Sequence, residues 1–211
     1  MNFFSHAAIA RSYSSEPLFV FGSMLPDFVS MVRARAPLVR ELTLEAGVRF
    51  HHATDAAFHE LPAFRRLCAW SLSELAARDV PRGPSRGIAH VGVELLLDAY
   101  LSRNEASRSA YLAALAAGAE AAAQSSVEFR SEAEAARFSE LGSVLLARGV
   151  SADASAALVL SRLRSTLARR PRLAIPASVE PRVLEWVEMA SARVVASAEP
   201  LLAELHAELK T

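Results

Sequence analysis

The 211-residue chain is predicted to be all-α, a single-domain helical bundle over residues 1–211, and three observations carry that prediction. Apolar residues recur at helical spacing along nearly the whole length. Alanine is very abundant and nearly all the positive charge is arginine, both good helix formers, while valine, isoleucine and threonine rarely cluster. Glycine is scarce, at eight residues. Almost no sheet is expected.

The elements follow in order. A short helix is read over Phe3 to Arg11, broken by Ser14, Ser15 and Pro17. Gly22-Ser23-Met24-Leu25-Pro26-Asp27 reads as a turn feeding another short helix, and Pro37 opens a new segment. Helical spacing runs from Thr43 to about Glu60. Pro62 then suits the first turn of a helix reaching Arg78, where its missing N–H costs nothing. Pro81-Arg82-Gly83-Pro84 reads as a loop before the most apolar helix, Ser85 to Leu101. Asn104 is a natural N-cap for a helix to about Gln124. Glu128 to Arg148 and Asp153 to Arg169 read as two more, divided at Gly149 and stopped by Arg170-Pro171-Arg172. A last helix starts near Ser178 and reaches Leu209, with Pro200 expected to kink or split it.

Composition narrows the function classes. Twenty-three basic residues balance twenty-three acidic ones, so there is no cationic excess to displace counterions from a nucleic acid. The single cysteine, Cys68, rules out a disulfide framework and a cysteine-rich zinc module, and its apolar neighbours predict a buried, inert thiol. The N-terminal segment lacks the basic region of a secretory signal, and no uncharged run approaches the ~20 residues of a membrane span. A cytoplasmic protein is expected.

Ionisable residues are unevenly placed. Five of six histidines (His6, His51, His52, His59, His90) lie in the first ninety residues. His51, Asp55 and His59 follow an i, i+4, i+8 spacing that puts them on one helical face, with His52 turned away. His90, Glu94 and Asp98 repeat it on the apolar helix, where a charge is expensive unless paired or coordinated. Imidazole and carboxylate donors together suit manganese, magnesium, iron or zinc. His6 and Asp27 add two more candidate ligands. Taken singly, His90 is more often a satisfied core histidine, Glu94 and Asp98 could pair with arginines of neighbouring helices, and His59 could lie on a solvated face.

An ordered set of segments resembles the acyl carrier protein phosphodiesterase family: Met1-Asn2-Phe3-Phe4-Ser5-His6, Gly22 to Phe28, Gly47 to Asp55, Asp98-Ala99-Tyr100-Leu101-Ser102-Arg103, and Ala168-Arg169-Arg170-Pro171-Arg172-Leu173. The set covers most of the chain, with Ser109 to about Ser161 matching poorly. The resemblance implies an HD-phosphohydrolase-like helical fold and a divalent-metal hydrolase, manganese foremost, that removes the phosphopantetheine arm from holo acyl carrier protein. Carried over residue by residue, it implies His6, Asp27, His51, Asp55 and Asp98 at the family's polar positions, with Glu94 at a further acidic one. The chain departs from the pattern at Ala8, His52, His59 and His90, which puts metal identity and substrate in question.

The expected activity is therefore hydrolysis of a phosphodiester. His6, Asp27, His51, Asp55, Asp98, Glu94 and His90 are the candidate metal ligands. Asp55, Asp27 and His90 are the candidates to orient water or move a proton. Arg169, Arg170 and Arg172, with Arg162 and Arg164, form the densest basic cluster, suited to phosphate or to an acidic carrier protein. Two alternatives stand beside this: a non-catalytic helical module for an acidic partner, and a zinc-dependent phospholipase C-like hydrolase acting on a small phosphodiester.

Overall fold

A computed structural model describes residues 1–152 and 155–210. Among them, nine α-helices account for nearly all regular structure. The helices are α1 (Phe3–Ala10), α2 (Pro17–Met31), α3 (Leu42–Glu60), α4 (Pro62–Ala77), α5 (Arg82–Leu101), α6 (Glu105–Ala123), α7 (Glu132–Arg148), α8 (Ala156–Leu167) and α9 (Glu180–Glu208). A 3-10 turn at Ala177–Val179 precedes α9. The sheet is a two-residue antiparallel ribbon, β1 (Leu38–Val39) against β2 (Val127–Glu128). The chain divides into two compact units, Met1–Ala56 with Leu101–Ala152 and Ala57–Tyr100 with Asp153–Thr211.

In the first unit α1, α2, α6 and α7 pack around one apolar cluster. Phe4 meets Tyr111 edge-on at 5.4 Å, and Phe21 meets Phe138 at 6.3 Å. Local chemistry sets the helix starts. The Asn104 side chain accepts the Ser107 N–H at 3.0 Å, as its N-cap reading requires. Ser131 accepts from Glu134 at 3.3 Å, and Glu41 accepts the Thr43 and Leu44 N–H groups that open α3. The expected helix start at Glu128 is corrected: Val127 and Glu128 pair with β1, and α7 begins after the Ser131 cap.

Gly22 to Asp27 is not a turn. It lies inside α2, which runs unbroken through Gly22 and Pro26. Gly22 serves a close approach rather than a turn: a Cβ there would lie 2.2 Å from the Leu44 carbonyl oxygen and 2.9 Å from the Gly47 Cα. The two glycines thus let α2 and α3 touch backbone to backbone. Pro26 forfeits one helical hydrogen bond, a loss that burial of Met24, Leu25 and Phe28 on the same helix offsets.

The second unit packs α4, α8 and the 3-10 turn on α9. Trp186 is fully buried and lies where a Cβ on Gly92 of α5 would be, 2.5 Å from Cη2. Pro81 to Pro84 is not wholly loop, because α5 already starts at Arg82. Pro84 sits in its first turn, where N–H groups have no helical acceptor. Gly83 lies under the Arg172 carbonyl, 2.4 Å from a Cβ position. α9 runs as helix straight through Pro200, so the proline does not split it. The expected start of α8 at Asp153 falls outside the described residues; the helix is seen from Ala156, capped by Ser155.

Candidate metal centre

The Gly22–Gly47 crossing does more than pack two helices. Ser23 follows Gly22, and His51 lies four residues beyond Gly47 on the same face of α3. The His51 Nδ1 accordingly comes to 2.8 Å from the Ser23 carbonyl oxygen. Nδ1 is the donor in that bond, which leaves Nε2 as the lone-pair nitrogen. Asp27 lies one turn on from Ser23 along α2. His6 arrives from α1, its ring 4.0 Å from the His51 ring, centroid to centroid.

Ligand atoms of His6, Asp27 and His51 all lie within 4.8 Å of one another. His6 is fully buried, and neither of its ring nitrogens has a hydrogen-bond partner. Burial drives the His6 pKa down to about 3, outweighing the Asp55 carboxylate beside it. Burial also lowers His51, against the raising effect of its Ser23 bond. Both imidazoles are thus neutral at pH 7 and competent as donors to a cation.

Asp55 stands at the edge of this trio, its Oδ1 3.6 Å from His6 Nε2 and 2.6 Å from the Met1 amino group. It is partly exposed, so it borders the solvent side of the site. His52, one step round α3, is exposed.

The remaining candidates belong to the second unit. His90 and Glu94 lie on α5 and are joined by His59, a member of the α3 stripe that stands outside the expected ligand set. His59 Nε2 and His90 Nε2 each lie 3.2 Å from Glu94 Oε1. Burial pushes the Glu94 carboxyl up, but the two histidine hydrogen bonds prevail and hold it below the usual carboxylate range. Asp98 is buried on α5 and is part of neither trio.

Cys68 is half-buried, with Sγ 3.6 Å from the Ala89 carbonyl oxygen, and burial with the Glu94 charge pushes its thiol up to about 12. Among the arginines, Arg164 bonds both Glu180 carboxylate oxygens at 3.2 Å. Arg169, Arg170 and Arg172 are exposed in the turn after α8.

The signal that could have found His59 was present: it completes the i, i+4, i+8 stripe. What sequence could not supply is the pairing of His59 with α5. Compared with family models, curated proteins and solved structures, the chain matches none of them. Among the described residues no helix is long and apolar enough to cross a membrane.

Proposed function

We propose that the chain is a metal-dependent phosphodiesterase of the acyl carrier protein phosphodiesterase type, with an HD-like site in its first unit. One observation supports this most: His6 is buried and neutral, with nothing nearer its ring nitrogens for hydrogen bonding than the Asp55 Oδ1 at 3.6 Å, beside His51 and Asp27. A buried polar group left in that state costs about 1–3 kcal/mol, and a cation shared with His51 and Asp27 relieves it. The donor set of two imidazoles and a carboxylate fits a divalent manganese, iron or zinc ion.

His6, Asp27 and His51 would hold the ion, with Asp55 as a further donor at the rim. Such an ion supplies Lewis-acid chemistry, polarising a phosphoryl oxygen and acidifying water. The chain's own groups set the conditions. The Ser23 carbonyl fixes the His51 tautomer and burial keeps His6 unprotonated; the partly exposed Asp55 carboxylate would orient an attacking water and take its proton. Exposed Arg169, Arg170 and Arg172 of the second unit would supply cations for the surface of an acidic carrier protein.

The test is hydrolysis of holo acyl carrier protein, and of a generic aryl phosphodiester, by manganese-loaded protein and by Asp55→Ala. Release of phosphopantetheine by the wild type and its loss in the variant, with helical content unchanged, is expected. Carrier protein bound without turnover by metal-loaded wild type contradicts the catalytic reading and favours the binding module.

A further inference from the structure

The second trio has a geometry of its own. His90 and Glu94 are one helical turn apart on α5, and His59 lies in the last turn of α3. Both Nε2 atoms stand 3.2 Å from one Glu94 oxygen. Ligand atoms around a tetrahedral cation, each at about 2.1 Å, are separated by about 3.4 Å. The observed spacing therefore lies close to the edge of such a tetrahedron.

The rings are also held. His59 and His90 stack at 4.9 Å with planes 15° apart, and Phe64 meets both edge-on at 5.5 and 5.3 Å. Glu94 is 7% exposed, whereas half of the His90 side chain faces solvent. The donors are thus anchored in the interior and open on one side. Two nitrogen donors disfavour magnesium, which prefers oxygen ligands.

We propose that His59, His90 and Glu94 form a second divalent-cation site, of the zinc class, with an open position that takes water or an anionic oxygen. The site uses no residue of the trio in the first unit and does not depend on the activity proposed for it.

The test uses full-length protein stripped with chelator, dialysed against zinc and analysed for metal, beside His90→Ala and His51→Ala. His90 is exposed, so its replacement leaves the helices intact, which circular dichroism verifies. Two equivalents in the wild type and one in each variant are expected. Cobalt substitution gives a second readout: a tetrahedral cobalt absorption band that persists in His51→Ala and disappears in His90→Ala. Wild-type zinc content and an unchanged cobalt band in His90→Ala overturn the second site. A single equivalent lost in His51→Ala and kept in His90→Ala overturns it too and leaves the first site standing. A single equivalent lost only in His90→Ala supports the second site and removes the first.

Discussion

Burying an imidazole as deeply as His6 makes the apoprotein sensitive to mild acid. The folded pKa, about 3, lies below the ~6.5 of an unfolded histidine. Below pH 6.5 the unfolded chain therefore takes up a proton that the native state refuses. The associated stability is complete above pH 6.5 and is lost as pH falls toward 3. Metal-free wild type should lose melting temperature between pH 7 and 5 more steeply than His6→Asn, a window in which few carboxylates titrate. Equal slopes in the two thermal melts would show that His6 carries a proton in the folded state. The same burial governs metal binding. Because burial lowers the pKa of both His6 and His51, affinity measured by competition titration should fall less from pH 7.5 to 6 than it would for solvated imidazoles.

At the scale of elements, the site depends on how closely α2 and α3 approach. Gly22→Ala puts a methyl 2.2 Å from the Leu44 carbonyl oxygen, so the helices must separate. Overpacking of this kind costs about 1–3 kcal/mol, and the shift should also break the His51–Ser23 bond and weaken metal binding. Gly142 on α7 is the control. A Cβ there meets nothing within 4 Å, so Gly142→Ala should stabilise by up to about 1 kcal/mol through helix propensity. Chemical denaturation with metal titration on both variants checks the pair. This contact also explains where sequence reading stopped. Helical spacing and caps such as Asn104 were legible because they act within a few residues. Gly22 and Pro26 were read as a turn because both usually punctuate a chain, and the reason for Gly22 is Gly47, twenty-five positions away. The His90–Glu94 pair was visible as i, i+4, while His59 joins it only through packing.

For the molecule as a whole, composition and periodicity sufficed for the all-helical class, since helices report themselves locally. The two-residue β1–β2 ribbon left no signal, because two residues are too short to show a strand period. The assembly of His6, Asp27 and His51 from three helices was legible only as a collection of candidate ligands. If a cation completes that trio, it binds the folded state alone, and ligand at 100 times its dissociation constant adds about 2.7 kcal/mol of stability. Chelator should therefore lower the melting temperature, and manganese or zinc should restore it.

The measurement that bears most directly on the central claim is elemental analysis of protein purified without chelator, beside His51→Ala and His6→Ala. Each variant should hold one manganese, iron or zinc equivalent fewer than the wild type while its helical content is retained. Wild-type protein that takes up no metal, even after dialysis against manganese and zinc, contradicts that claim, and the buried histidines are then structural.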